Sequence, residues 1–182
     1  MGEVTLRADL FDFLHSVGSI TRLRNIGVET ANGAVQINEG ILDQVRLGDS
    51  EHSGLVVNRG TSFNIIGLKY LNRYTVTFDL PGHRLFLRPG KSFSEKSRRT
   101  CLGVGIYDRK GKVALKYVIA DSPAAKAGLM ADDIIETVNG KAAAGSDLYS
   151  LRRLFENEGE TVSLSVRRGD RLASLKIKLL DF

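Results

Sequence analysis

Asp121-Ser122-Pro123-Ala124-Ala125-Lys126-Ala127-Gly128-Leu129, followed closely by Asp132-Asp133-Ile134-Ile135-Glu136-Thr137-Val138-Asn139-Gly140, is the stretch that decides how this chain is read. The apolar run from Val113 to Ile119 predicts a strand leading into it. Ser122 stands at a helix N-cap and Pro123 at the first helical position, where a missing N–H costs nothing. The small residues that follow predict one short turn of helix stopping at Gly128, a favoured helix-end residue. Asp132-Asp133 predicts a polar turn before a second strand, Ile134 to Val138. Asn139-Gly140 then supplies the residue pair that a tight two-residue hairpin demands.

Downstream, Ser146 is the expected N-cap of a longer helix. Leu148, Leu151, Leu154 and Phe155 fall on one broad face of it at helical spacing. The helix is expected to end around Asn157-Glu158-Gly159. Thr161 to Val166 and Leu172 to Leu179 then predict a hairpin around Arg168-Gly169-Asp170. Upstream of the deciding stretch lies Leu102-Gly103-Val104-Gly105-Ile106. Its paired glycines let successive backbone N–H groups turn to one side, the geometry of an anion-binding nest.

Residues 88 to 99 are polar, carry Pro89-Gly90 and several serines, and lack apolar periodicity, so they read as a linker. The expected organisation is a first domain over 1–90, a linker over 91–99 and a second domain over 100–182. The first domain is largely strand and turn. Asn25 to Thr30 and Ala34 to Ile37 flank the hairpin signal Ala31-Asn32-Gly33. Gly40 to Leu47 runs to a turn at Gly48-Asp49, and Gly54 to Val57 is a short apolar run. Leu68, Leu71 and Tyr74 stand at helical spacing. Thr75 to Leu80 meets the turn Pro81-Gly82-His83 before Arg84 to Leu87. Leu10 to Leu14 fits either strand or helix.

Composition excludes several function classes. The 182 residues are 42% hydrophobic and 26% charged, near globular averages, so a packed core is expected throughout. The net charge of +5 is modest and the aromatic content is 7% with no Trp, which argues against nucleic-acid binding. Cys101 is the sole cysteine, so no internal disulfide is expected. His15, His52 and His83 lie far apart in sequence, and neither a metal site nor a cofactor is expected. No apolar run reaches membrane-spanning length. Met1 to Leu6 lacks the basic and apolar blocks of a signal peptide, and Leu6 occupies the place where a myristoylation motif wants Ser or Thr. The default expectation is cytoplasmic, or periplasmic if a further N-terminal segment precedes.

From Leu102 onward, the Gly-containing loop, the Val113 strand, the Ser-Pro-Ala-Ala turn and the Asn-Gly hairpin together resemble the bacterial type of PDZ domain, over about residues 100 to 182. The resemblance implies that an extended peptide adds to a sheet edge. Its terminal carboxylate would be held by the loop of Leu102, Gly103, Val104, Gly105 and Ile106. The helix bearing Leu148, Leu151 and Phe155 would form the other wall. Leu148 stands where many PDZ domains carry a His, which implies an apolar ligand side chain there, and Phe155 would help line the pocket for the terminal side chain.

Residues 20 to 90 resemble a retropepsin-type aspartic protease domain. Ile65-Ile66-Gly67 ahead of a short helix matches that family's apolar-apolar-Gly segment, and Thr30, Ala31, Asn32 and Gly33 lie where its flap would be. The family's Asp-Thr-Gly or Asp-Ser-Gly loop is missing. Asp9 and Asp12 are the nearest acids, and Asp12-Phe13-Leu14 puts bulky residues where a small hydroxyl and a Gly are needed. The fold expected is therefore mainly β with short helices: a truncated retropepsin-like β-barrel, then a PDZ-like β-sandwich with two helices. The function expected is binding of a peptide or protein C-terminus by a module fused to an incomplete aspartic-protease-like domain, inactive alone. The alternative is an aspartic endopeptidase whose catalytic loop lies upstream of Met1. A third reading is a purely structural two-domain protein with a blocked groove. Exposed strand edges in the first domain would favour pairing of two chains there.

Overall fold

The computed structural model describes residues 3–30, 33–60 and 62–182. The chain divides into two compact units, Met1–Arg98 and Arg99–Phe182. Both are dominated by β-sheet with a few short helices.

The first unit contains β1 (Val4–Leu6), α1 (Ala8–Ser16), β2 (Ile20–Thr30), β3 (Gly33–Leu47), β4 (Ser50–Arg59), β5 (Ile65–Ile66), α2 (Leu68–Leu71), β6 (Tyr74–Asp79) and β7 (Arg84–Pro89). β2, β3 and β4 form a long antiparallel meander, and β1 lies parallel to β4 with Val4 opposite Val57. The sheet order is β2-β3-β4-β1-β5, while β6 and β7 pair only with each other as a separate ribbon. A barrel needs its first and last strands to pair. Among the described residues β2 and β5 do not. The expected retropepsin-like barrel is thus corrected to an open five-stranded sheet with a detached hairpin.

Leu10 to Leu14 resolves as part of α1, whose Phe11 is buried against Leu6, Ile20, Leu42, Leu55 and Val57. The helix expected to carry Leu68, Leu71 and Tyr74 is shorter than its spacing implied. It stops at Leu71, and Tyr74 reaches the core as the first residue of β6. Asp9 and Asp12 ride on α1 and are each taken by an arginine. Arg7 bonds Asp9, and Arg59 grips both oxygens of Asp12 at 2.8 Å. The hydrogen bonds from Arg59 hold the Asp12 carboxyl below the usual carboxylate range. In the hairpin read as flap-like, Thr30 pairs with Gly33, while Ala31 and Asn32 lie outside the described residues.

Among the described residues, two ion pairs are buried inside this unit, while Asn58 Oδ1 and Arg73 Nε are buried without a hydrogen-bond partner. Arg24 meets Glu39 at 2.7 Å and Arg73 meets Glu3 at 3.0 Å, all four buried. Arg73 also donates to the Glu95 carbonyl and to Ser97 Oγ, and Ser97 in turn donates to Glu3. Residues 93–97 of the segment read as linker are thereby fastened to the first unit. Close by, His52 Nε2 sits 2.5 Å from the Tyr74 hydroxyl, edge-on to Tyr70 and Phe93.

The second unit contains β8 (Val104–Arg109), β9 (Lys112–Val118), α3 (Pro123–Lys126), β10 (Ile134–Val138), β11 (Lys141–Ala142), α4 (Leu148–Leu154), β12 (Thr161–Arg168) and β13 (Arg171–Lys178). Its sheet runs β13-β12-β10-β9-β8, with β11 paired to β10. Ser122 Oγ accepts from the Ala125 N–H at 3.1 Å, capping α3 behind Pro123. Asn139 and Gly140 both take positive φ, 50° and 77°, as a type I′ hairpin turn requires. The N-cap of α4 is Asp147 and not the expected Ser146: its carboxylate accepts from the N–H groups of Tyr149 and Ser150. Asp133 is buried at the turn before β10, and Arg168 of β12 grips both of its oxygens. Burial pushes that carboxyl up, but the bonds from Arg168 and from the Met130 N–H outweigh it and hold the group below its ordinary range.

His52 gives this scaffold a pH dependence. Burial, and then the nearby Arg73 charge, push its imidazole below the ordinary histidine value. The unfolded chain therefore takes up a proton at His52 before the folded one does, and stability falls with decreasing pH. First-unit stability is expected to be level above about pH 7 and to decline from about pH 6.5 downward. Hydrogen exchange of β3 and β4 amides across that range checks this, and the decline should shrink in His52→Gln.

Candidate functional site

β8 is the edge of the second unit's sheet, and its bonding fixes which way its backbone groups point. Ile119 N–H donates to the Gly103 carbonyl at 2.8 Å, and Val104 stands opposite Val118. Val104 and Val118 are thus a non-hydrogen-bonded pair, in which the N–H and C=O of Val104 turn away from β9. The Ile106 carbonyl also points outward, since it accepts from the Arg152 guanidinium of α4 at 2.9 Å. Between the two, Gly105 faces Tyr117 at a bulge in the β8–β9 register.

α4 lines this edge. The N–H groups of Cys101 and Leu102 both donate to the Phe155 carbonyl, at 2.8 and 3.3 Å. Arg152 reaches Ile106, so the helix runs antiparallel to β8, its C-terminal end by Leu102 and its middle by Ile106. The groove between them has a wall of backbone on one side and a helix on the other. Its near end is the Leu102–Val104 loop, where Gly103 takes φ +85°. A side chain at Gly103 would overlap the Ser122 Cβ and crowd the Phe182 ring at 2.9 Å, and one at Gly105 would overlap the Tyr117 ring.

The residues singled out in the sequence come from the loop, the free edge and the facing helix. Gly103, Val104, Gly105 and Ile106 form the loop and the start of the free edge. Leu148 is half-buried at the start of α4, packed against the core, and Phe155 is its C-cap and buried. Leu102 and Leu151 sit in the same hydrophobic core as Val104, Ile106 and Phe155, with Leu115, Ile135, Val162 and Leu164. The loop is also internally engaged: the Gly103 N–H donates to Thr100 Oγ1 at 3.1 Å. Sequence reasoning missed Arg152. Its place one turn after Leu148 and one before Phe155 puts it on the same helix flank, a signal the apolar periodicity passed over. A separate depression of about 200 Å³ lies elsewhere in the unit, lined by Ala127, Leu129, Val166, Arg168 and Leu175. Among the described residues no His, Cys, Asp and Glu cluster could hold a metal ion.

Against this geometry, a family model described as PDZ domain matches residues 100–179. A probable CtpA-like serine protease of Staphylococcus haemolyticus is 34% identical over 91 residues, 48% of this chain and 18% of that protein. The carboxy-terminal processing protease CtpB of Bacillus subtilis is 29% identical over 92 residues, 49% of this chain and 19% of that protein. The chain thus spans about a fifth of the length of these relatives. A solved PDZ domain of a carboxy-terminal protease from Vibrio cholerae, in complex with peptide, aligns at 21% identity and a TM-score of 0.37 over 42% of this chain and 89% of that one. That likeness carries no functional argument by itself.

These relatives correct the reading of the enzyme class. The CtpA-like relatives are named as probable serine proteases, so the resemblance to an aspartic protease does not hold, and neither does the picture of an incomplete aspartic enzyme or of one completed by an upstream Asp loop. The open sheet of the first unit and the arginine-paired Asp9 and Asp12 agree with that correction.

Gly103→Ala should destabilise the second unit by about 1–3 kcal/mol, the cost of a strained positive φ together with overpacking. A urea titration of the full chain measures it, and an unchanged second-unit midpoint would mean that the loop does not depend on this glycine. Over residues 100–179 the chain is similar to PDZ domains.

Proposed function

We propose that the chain captures free protein C-termini in the groove between β8 and α4, in the service of serine-type proteolysis. The observation that carries this reading is the outward turn of the Val104 and Ile106 backbone groups along an unpaired sheet edge with α4 beside it. An incoming strand pairs with such alternate residues and needs no side-chain match to do so. Its last residue would exchange bonds with Val104, and its third-from-last with Ile106.

The terminal carboxylate then falls at the Leu102–Val104 loop. The Val104 N–H is directed there, and the Leu102 N–H has only a long 3.3 Å bond to a carbonyl that already serves Cys101. A carboxylate accepts more strongly than a neutral carbonyl or hydroxyl and would take these donors over. Val104, Ile106 and Phe155 would surround the terminal side chain, favouring an apolar residue, and Leu148 would favour an apolar stem further along the helix. The proteolytic link rests on the relatives, the CtpA-like ones named as probable serine proteases and CtpB as a carboxy-terminal processing protease. In a longer protein of that type, the module would hold a substrate by its end while a peptidase domain cleaves.

A second chain is a proposed partner of the first unit. What supports it is β5, an edge strand whose Ile65 and Ile66 are 54% and 41% exposed. Sedimentation of the full chain is expected to give a dimer that Ile65→Lys dissociates. A monomer at all concentrations would end this reading.

The groove itself is tested by titrating the chain with an apolar-ended peptide as free acid and as C-terminal amide. The amide is expected to bind about tenfold or more weakly, since hydrogen bonds to a charged group contribute roughly 1.5–3 kcal/mol. Leu148→Asp should weaken the free acid further by putting a charge on the groove wall. Equal affinity of acid and amide would overturn carboxylate capture.

A further inference from the structure

We propose that Arg152 is a latch on this groove that opens toward an acidic side chain, so that the preferred ligand carries Glu at its third-from-last residue. The inference rests on the reading above, that a peptide strand adds to β8, and it deepens that reading by naming the ligand's chemistry.

The starting point is the 2.9 Å bond from the Arg152 guanidinium to the Ile106 carbonyl. That carbonyl is one of the two outward groups an incoming strand must pair with, and here a side chain of the protein itself already covers it. Arg152 is otherwise largely exposed, so the contact is a strap over the groove and not part of the core. Asp147, the N-cap of the same helix, senses the Arg152 charge. Both Asp147 oxygens are already committed, to the N–H groups of Tyr149 and Ser150 and to the Ser150 hydroxyl. A guanidinium lifted from Ile106 is therefore left with donors in search of an acceptor.

Strand geometry says where that acceptor comes from. Side chains alternate along a strand, so the last and third-from-last residues of the ligand share one face. The last residue lies by Phe155, on the α4 side, and the third-from-last therefore also faces α4. It meets the helix at Arg152, the residue level with Ile106, with Leu148 one turn away. A Glu side chain suits that pair: its methylenes lie on Leu148 and its carboxylate reaches the guanidinium, a two-toothed match of donors and acceptors. A ligand with Ala there displaces the latch and offers it nothing in return. Arg152 thus acts in both directions, resisting strands in general and rewarding acidic ones.

The test uses the full chain and four free-acid peptides ending in Leu that differ only at the third-from-last residue, as Glu, Gln, Ala or Lys. Wild type is expected to bind the Glu peptide about fivefold more tightly than the Gln peptide, the scale of a half-exposed ion pair. That advantage should shrink at high salt. Arg152→Ala should bind the Glu and Gln peptides equally, and the Ala peptide at least as well as wild type does. Arg152→Glu should reverse the preference toward Lys. An unchanged Glu-to-Gln ratio in Arg152→Ala overturns the proposal. So does a loss of Ala-peptide affinity as large as the loss for Glu, which would make Arg152 a support for the groove's shape. If the amide forms bind as well as the acids, or none of the peptides binds, the groove reading itself has failed and the latch falls with it.

Discussion

Much of the second unit hangs on the backbone turn at Gly103. Its positive φ reverses the chain so that the Gly103 carbonyl meets the Ile119 N–H, which sets the register in which Val104 faces outward. The same turn is packed so closely on Ser122 that no side chain fits. Ser122 in turn caps α3, and the Ala124 N–H returns to the Leu102 carbonyl. One loop and one short helix thus lock each other. Neither is long enough to be stable by itself. Their mutual fit converts a Gly-x-Gly sequence, unremarkable alone, into a fixed row of outward backbone groups.

That row is an exposed strand edge, which proteins ordinarily blunt because it invites pairing with other chains. Here the edge is kept short by the Gly105 bulge, flanked by α4 and crossed by Arg152. On the proposed reading, these features leave the edge open to a strand that enters end-on beside the helix.

The first unit is organised differently. Two ion pairs, Arg24–Glu39 and Arg73–Glu3, are buried in it beside its apolar core. Buried pairs contribute little net stability because desolvation offsets their attraction, but breaking one is costly. Arg73 joins the N-terminal Glu3 to residues 93–97, holding together parts of the chain that no strand pairing connects. The hairpins and the apolar-Gly segment that suggested an aspartic protease are local features. They satisfy turn chemistry common to many β proteins, and nothing in them encodes whether a sheet closes into a barrel. Closure is a matter of which distant strands pair, and β2 and β5 end as edges.

Local chemistry in the sequence determined the elements: Ser122-Pro123 started α3, Asn139-Gly140 turned β10 into β11, and Arg168-Gly169-Asp170 joined β12 to β13. These signals are strong because each rests on a φ preference or a cap that operates within a few residues. The deciding stretch was therefore enough to point to a peptide-binding module. Only the tertiary structure decided what each residue of that module does. Leu102, Val104, Ile106, Leu151 and Phe155 all pack into one core, since periodicity marks a buried face without saying what lies against it. Asp147 displaced Ser146 as the cap because both suit the position and only the chain path chooses between them. Arg152, polar on an apolar helix, became visible once the fold brought it to the Ile106 carbonyl, 46 residues away in sequence. Contacts over such separations depend on how strands are ordered in a sheet, and no short-range rule carries that order.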